Sequence, residues 1–135
     1  MPGGFGTRRE VDNSDLLEWL RERAARAEIV SSVCTGAALL ARAGLLDGRR
    51  ATTNKRAFGW VESQGPKVDW IKSARWVEDG RFWTSSGVSA GIDMALAIIA
   101  RLAGSDAAEQ AARTMEYEWR RDSGWDPFAR LHGLA

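Results

Sequence analysis

The residues from 28 to 54, "EIVSSVCTGAALLARAGLLDGRRATTN", place a short apolar run directly before a helix of small residues. The run "EIVSSVC" is short and β-branched, which is typical of strands that a parallel sheet buries on both faces. The Thr-Gly step that follows opens the helix "TGAALLARAGLL", and Gly44 with the "LLDGRR" turn ends it. A buried strand that turns at once into a helix predicts an α/β fold.

The only cysteine of the chain, Cys34, lies at this turn between strand and helix. Small residues two positions to either side, Ser32 and Gly36, allow the tight turn of a nucleophile elbow, which aims the side chain into a crevice at the carboxyl end of the sheet. The first N–H groups of the helix favour thiolate over thiol. From the spacing alone, a buried and inert cysteine stays an equal alternative.

An elbow cysteine needs hydrogen-bond donors for the oxyanion that forms when it attacks a carbonyl carbon. The backbone N–H of Thr35 is the first candidate donor, since it follows the cysteine directly. Gly3 and Gly4 are candidates for the second donor, because glycine lets a backbone approach a ligand closely.

The rest of the chain alternates between helical and extended patterns, which predicts a mainly parallel sheet between helices. Apolar and polar residues alternate around Asp79-Gly80, which predicts a β-hairpin near residues 75–85 with Trp76 and Trp83 on its two arms. Asp93 enters an apolar helix and is interpreted as compensating the helix dipole. The predicted helices are "NSDLLEWLRERAARA", "KRAFGWVESQ", "GVSAGIDMALAIIARLAG" and "SDAAEQAARTMEYEWRR", and "RATTN" is a further predicted strand.

Composition limits the classes of partner. The 135 residues with 44% hydrophobic content suffice for a single domain over residues 1–135. Nineteen basic residues against eighteen acidic ones leave a net charge of +1, so we expect neither nucleic acid nor a membrane surface as partner. One cysteine and the lack of a leader or a long apolar run predict a cytoplasmic protein. We expect no metal and no cofactor.

Three separated motifs, "PGGFGTR", "VCTGAALLARAGLLDGRRATTN" and "WTSSGVSAGIDMALAIIARLAG", resemble the DJ-1/PfpI (ThiJ/PfpI, class I glutamine amidotransferase-like) superfamily. The branch it is most similar to contains isonitrile hydratases and the ligand domains of some AraC-type regulators. The resemblance covers residues 1 to about 128 and implies a three-layer α/β/α flavodoxin-like sandwich that forms homodimers. It implies that Cys34 is the elbow nucleophile, that Thr35 follows it in the site, and that Gly3 and Gly4 complete the oxyanion site.

The chain departs from that family pattern in two ways. The family's domain starts with further β and α elements, including a strand with an acidic residue against the cysteine, so the resemblance implies a domain truncated at its N-terminus. Many relatives carry a histidine where this chain has Asn54, and an amide cannot transfer a proton near neutral pH. His132, the only histidine, and Glu116 with Glu118 are weaker candidates for the missing groups.

Two classes of function follow. The first is an enzyme in which Cys34 adds to an electrophilic carbon, as a hydratase or hydrolase of a small isonitrile-, amide- or carbonyl-type substrate. The second is a non-catalytic module, which is either a small-molecule or redox sensor that uses the same thiol, or a degenerate inactive remnant. In both cases Asn54 is a candidate lining residue of the site.

Overall fold

The structure, a computed structural model, describes residues 1–135 as seven helices and five short strands. The helices are α1 Thr7–Glu10, α2 Ser14–Arg26, α3 Gly36–Arg42, α4 Phe58–Gln64, α5 Ser89–Ala103, α6 Ser105–Thr114 and α7 Phe128–Leu131. The strands are β1 Val30–Val33, β2 Arg50–Ala51, β3 Asp69–Trp70, β4 Trp76–Asp79 and β5 Phe82–Ser85. No helix has the length and apolar character needed to cross a bilayer.

Two of the three strand pairings are parallel, as the alternating pattern predicts. Strand β5 lies at the centre of a sheet in the order β1-β5-β4, in which β1 and β5 run parallel. The strands β4 and β5 form the predicted antiparallel hairpin, and Gly80 turns it with a φ of +60° that suits glycine. The strands β2 and β3 form a second parallel pair. The predicted α/β class is confirmed.

Neighbouring residues of β5 point into two different cores, because side chains alternate across a strand. Phe82 belongs to the larger core, which contains α2 and α3 side chains such as Leu17 and Leu40. Trp83 belongs to a smaller core together with Trp76 and Met94 of α5. Helices therefore cover both faces of the sheet, and the predicted three-layer arrangement is confirmed.

Trp76 and Trp83, on the two arms of the hairpin, do not lie directly opposite each other. The register places Trp76 opposite Ser85 and Trp83 opposite Glu78. The two indole rings therefore meet only as diagonal neighbours in the small core under α5. Both rings pack against Met94 of α5, and this contact anchors the hairpin to that helix.

Helix α2 follows the sequence closely. Asn13 caps it, because its side-chain oxygen accepts a hydrogen bond from Leu16 N at 3.1 Å. Its buried residues Leu17, Leu20 and Ala24 recur at helical spacing and face the core. The local pattern and the packing agree here, so this helix is predicted correctly.

Asp93 differs from the prediction. It lies in the second turn of α5 and is fully buried, so it does not compensate the dipole of the first turn. Its Oδ2 accepts a hydrogen bond from Arg75 Nε at 2.6 Å, and its Oδ1 accepts one from Arg120 N at 2.9 Å. The interpretation as a dipole residue is wrong, because its charge is matched by a buried guanidinium from the start of β4.

Two predicted helices are shorter than their patterns. Helix α6 ends at Thr114, and the residues after it turn back so that Ser123 O accepts hydrogen bonds from Arg75 N and Trp76 N. Helix α4 begins at Phe58, because the ammonium of Lys55 is drawn into the interior before the helix starts. Tertiary contacts decide both boundaries.

The larger core generates a test of the fold. Leu40 on α3 is 1% exposed, whereas Leu102 on α5 is 57% exposed. We predict that Leu40→Ala lowers the free energy of unfolding by about 2–5 kcal/mol, because it leaves a cavity in the core. The matched control Leu102→Ala should change it by less than about 0.5 kcal/mol. Urea unfolding followed by tryptophan fluorescence measures both values, and equal losses would contradict this packing.

Candidate active site around Cys34

Cys34 adopts a left-handed backbone conformation at the turn between β1 and α3. Its φ is +58°, a value that costs a non-glycine residue about 1–2 kcal/mol. Three hydrogen bonds hold it there: Cys34 N donates to Ser85 O at 3.1 Å and to Ser86 O at 3.2 Å, and Thr53 Oγ1 donates to Cys34 O at 2.7 Å. The turn has the strained geometry of an elbow, and its side chain is half-buried.

The small residues on either side of Cys34 lie where larger ones would clash. Ser32 is fully buried in β1. A Cβ on Gly36 would lie 2.4 Å from Met1 O and 2.7 Å from Pro2 O. Met1 is held at this place because its amino group donates to Ser31 O at 2.6 Å and Val33 N donates to Met1 O at 3.0 Å. The N-terminal residues therefore run beside β1 and across the start of α3.

The Gly3-Gly4 segment lies against the elbow. A Cβ on Gly3 would be 2.7 Å from Thr35 N and 2.9 Å from Cys34 Cβ, so only glycine allows this approach. The N–H of Gly4 donates to Thr35 Oγ1 at 3.0 Å and is therefore already used. The N–H groups of Thr35 and Gly3 donate to no acceptor in the chain. Of these three donors, only the N–H groups of Thr35 and Gly3 are without an acceptor in the chain.

A cavity of about 330 Å³ opens above the thiol. Its lining residues are Gly4, Phe5, Arg8, Cys34, Thr35, Asn54, Arg56 and Ala57. Phe5 is 88% exposed at the edge of this cavity. Two arginines, Arg8 and Arg56, line the cavity and no acidic residue does, so its lining suits an anionic ligand.

A second cavity of about 260 Å³ shares Asn54 and Arg56 with the first. Asn54 is held in place because its Oδ1 accepts a hydrogen bond from Ala57 N at 3.0 Å. Its amide nitrogen lies so near Gly87 that a Cβ there would come within 2.8 Å. His132 lines this second cavity and not the one above Cys34. Asn54 therefore separates the thiol from the only histidine.

The loop that holds Cys34 O is itself held by a buried ion pair. Lys55 and Asp126 have side chains that are each 2% exposed, and Lys55 Nζ lies 3.2 Å from Asp126 Oδ2. Burial lowers the pKa of Lys55 from its ordinary value, and Asp126 offsets part of this effect. Because the pKa of Lys55 is lower in the folded chain, its buried charge costs stability, and the free energy of unfolding rises with pH between this lowered pKa and the ordinary value of 10.5.

Several residues of the site were not predicted from the sequence. They are Thr53, Lys55, Arg8, Arg56 and Asp126. The strand predicted for "RATTN" contains only Arg50–Ala51, so Thr53 lies in a loop. The sequence alone does not show that Thr53 contacts Cys34. That contact follows only from where the loop after β2 lies relative to the end of β1. The two candidate acids, Glu116 and Glu118, line a separate surface cavity. No group of three metal-ligating side chains lies together.

Comparison with known protein families identifies the family of this chain. Residues 1–101 match the DJ-1/PfpI family. The chain belongs to the DJ-1/PfpI family. The predicted membership is confirmed over about three quarters of the sequence.

Curated relatives of the chain include an enzyme and transcriptional regulators. The chain is 39% identical to the isonitrile hydratase of Pseudomonas putida over 119 residues, which are 87% of this chain and 50% of that protein. It is 35% identical to the HTH-type transcriptional regulator CdhR of Pseudomonas aeruginosa over 109 residues, which are 81% of this chain and 32% of that protein. The chain thus spans half the length, or less, of these relatives.

Solved structures of DJ-1/PfpI proteins share the fold. A THiJ/PfpI family protein from Pseudomonas syringae superposes with a TM-score of 0.77 at 33% identity, over 87% of this chain and 48% of that one. The Drosophila melanogaster DJ-1beta structure superposes with a TM-score of 0.72 at 22% identity, over 87% of this chain and 62% of that one. At 22% identity, the similarity to DJ-1beta shows a shared fold only.

The contact between Gly36 and the N-terminal residues generates a test of the elbow. We predict that Gly36→Ala lowers the free energy of unfolding by about 1–3 kcal/mol, because the new methyl group must displace backbone atoms of Met1 and Pro2. Gly59 in α4 is the matched control, since its Cβ would meet nothing within 4 Å. Gly59→Ala should stabilise the chain by about 0.5–1 kcal/mol. Thermal and urea unfolding measure both effects, and the same sign for the two variants would contradict the described contact.

Proposed function

We propose that Cys34 is the nucleophile of a hydratase or hydrolase that acts on a small isonitrile-, amide- or carbonyl-type substrate. The observation that carries the proposal is the strained position of Cys34 beside two unused N–H groups, those of Thr35 and Gly3. Arg8 and Arg56 line the same cavity and favour an anionic substrate or intermediate there. The 39% identity to an isonitrile hydratase supports a hydratase-type activity.

The proposed reaction on an isonitrile balances without a cofactor. The thiolate sulfur of Cys34 bonds to the isonitrile carbon, and that carbon takes a proton, which gives a thioimidate. Water adds across the C–N double bond, and cleavage of the C–S bond releases an N-substituted formamide and regenerates the thiolate. For an amide or carbonyl substrate, the oxyanion that forms on attack accepts hydrogen bonds from Thr35 N and Gly3 N.

Proton transfer is the weak part of this site in residues 1–135. The cavity around Cys34 is lined by arginine, asparagine and threonine, none of which donates or accepts a proton near neutral pH. General acid–base catalysis contributes about 10²–10⁴-fold in rate. We propose that the 135-residue chain alone turns over slowly, because this cavity supplies no group that transfers the proton.

A sensor is the second candidate function. The identities of 35% to CdhR and 32% to GbdR of Pseudomonas aeruginosa, both HTH-type transcriptional regulators, favour it. A sensor needs the cavity and the accessible thiol but not the proton transfer, so the present site suffices for it. Measured turnover of an isonitrile to a formamide favours the enzyme, whereas ligand binding or thiol oxidation without turnover favours the sensor.

The reactivity of the thiol tests both candidates. Because Cys34 is the only cysteine, iodoacetamide labels this position alone. We predict that the folded chain is alkylated faster at neutral pH than glutathione, because Cys34 lies at a strained turn in an open cavity that Arg8 and Arg56 line. Mass spectrometry over a pH series measures the rate, and it also detects the gain of one or two oxygen atoms on mild peroxide treatment.

The controls for this experiment separate folding from chemistry. Cys34→Ser should take up neither label nor oxygen, and the denatured chain should react at the rate of an ordinary thiol. Labelling only after denaturation would show that the cysteine is buried and inert, and would rule out both candidate functions.

We also propose that the protein is a cytoplasmic homodimer. An apolar groove of about 420 Å³ between α5 and α6 supports association. Val88, Ile92 and Met115 line this groove and are exposed. A second copy of the chain would remove these side chains from water.

The association state has a direct test. We predict that the chain sediments as a dimer at micromolar concentration and that Met115→Glu weakens the dimer at least about tenfold, because it would bury a charge in the interface. Leu102→Glu is the control, since Leu102 is exposed on α5 but does not line the groove. A monomer at every concentration would contradict the proposal.

A further inference from the structure

The carbonyl group of Cys34 and the N–H group of Thr35 belong to the same peptide bond. No peptide bond of the chain is cis, so these two groups point in opposite directions from one planar unit. Cys34 O accepts a hydrogen bond from Thr53 Oγ1 at 2.7 Å, and no backbone N–H donates to it. The contact with Thr53 therefore fixes the direction in which the N–H of Thr35 points.

Thr53 is itself held firmly in place. It is fully buried, and its hydroxyl group has a single proton, which it donates to Cys34 O. Its own carbonyl accepts a hydrogen bond from Lys55 Nζ at 3.2 Å, and Lys55 forms the buried ion pair with Asp126. The hydroxyl group is thus fixed at the carbonyl before any reaction starts, so no reorganisation is needed when charge develops nearby.

The same hydrogen bond makes Thr35 a stronger donor. A donor at a carbonyl oxygen polarises the whole peptide group, and hydrogen bonds that follow one another in a chain strengthen each other by about 10–30%. The N–H of Thr35 has no acceptor in the chain, and Thr35 lines the cavity above Cys34. An oxyanion at this N–H would be the last member of a chain that begins at the Thr53 hydroxyl group.

We propose that Thr53 is a positioning residue for the oxyanion donor of the site. Thr53 does not line the cavity, and it acts through the Cys34–Thr35 peptide bond, because its hydroxyl group orients and polarises the N–H of Thr35. The inference rests on the proposed function in one respect, since it takes Thr35 N as a donor to the oxyanion. The role belongs to the hydroxyl group, so serine can replace threonine here and valine cannot.

Two reactions of the thiol separate this role from a general effect on Cys34. In alkylation by iodoacetamide the thiolate displaces iodide, and no oxyanion forms. With p-nitrophenyl acetate the thiolate sulfur bonds to the ester carbon, and the carbonyl oxygen becomes an oxyanion. Its collapse releases p-nitrophenolate and leaves an acetyl group on the sulfur.

We predict that Thr53→Val lowers the rate of acylation by p-nitrophenyl acetate about tenfold and the rate of alkylation less than about threefold, because only acylation uses the oxyanion donor. Thr53→Ser keeps the hydroxyl group and should retain the ratio of the two rates that the unmodified chain shows. Release of p-nitrophenolate and mass spectrometry measure the two reactions. An unchanged ratio in Thr53→Val would overturn the proposal.

Thr52→Val is the matched control. Thr52 is also fully buried, and its hydroxyl group donates to a backbone carbonyl, Ile71 O, at 2.8 Å. The variant loses a hydrogen bond of the same kind, so it should lower the free energy of unfolding as much as Thr53→Val does. The ratio of acylation to alkylation should nevertheless stay as in the unmodified chain. An equal fall of this ratio in the two variants would show a general effect of destabilisation and overturn the role of Thr53.

A measurement without any reaction tests the positioning independently of the proposed function. In the ¹³C,¹⁵N-labelled chain, Thr53→Val should move the carbonyl ¹³C resonance of Cys34 and the amide ¹⁵N resonance of Thr35 upfield, because the lost hydrogen bond deshields both nuclei. Thr53→Ser and Thr52→Val should leave both resonances near their places. Thr53→Ala removes the same hydroxyl group and replaces Thr53→Val if that variant does not fold.

The two measurements together assign any failure. Unchanged resonances in Thr53→Val would overturn the positioning of Thr35 N by Thr53. Upfield shifts together with a thiol that reacts with neither reagent would support this positioning and contradict the proposed function alone.

Discussion

The hydrogen bond from Thr53 Oγ1 to Cys34 O is the contact on which the site depends. It holds the carbonyl of a residue whose backbone is left-handed, while the N–H of the same residue is held by carbonyls at the end of β5. Three parts of the chain far apart in sequence thus fix one cysteine. A strained residue persists only when its surroundings determine its conformation in this way, and here the surroundings are the carboxyl ends of parallel strands.

Buried ion pairs make the C-terminal residues part of this support. Asp126 reaches Lys55 next to the loop of Thr53, and Arg75 joins the start of β4 to Asp93 on α5. Each pair is almost fully removed from water, so each charge depends on its partner. The residues after α6 therefore belong to the folding unit and do not form an appendage, although their sequence has few periodic apolar positions.

The two cavities that meet at Asn54 have complementary properties. The first is lined by Cys34, Arg8 and Arg56, and the second is lined by the first turn of α5 and by the Lys55–Asp126 ion pair. A family member with a histidine in place of Asn54 would have a proton donor between them. An amide there can donate and accept hydrogen bonds, which is consistent with either candidate function.

Local sequence determined which segments form strands, helices and turns. The β-branched run before Cys34, the cap at Asn13 and the Asp79-Gly80 turn each act within a few residues, so the strand, helix α2 and the hairpin could be predicted, and the motif around Cys34 identified the elbow. Tertiary structure alone decided that Gly4 N is taken by Thr35 and that Lys55 turns inward. It also decided where α6 ends. These outcomes depend on long-range contacts between charged and polar groups, whose partners no local periodicity reveals.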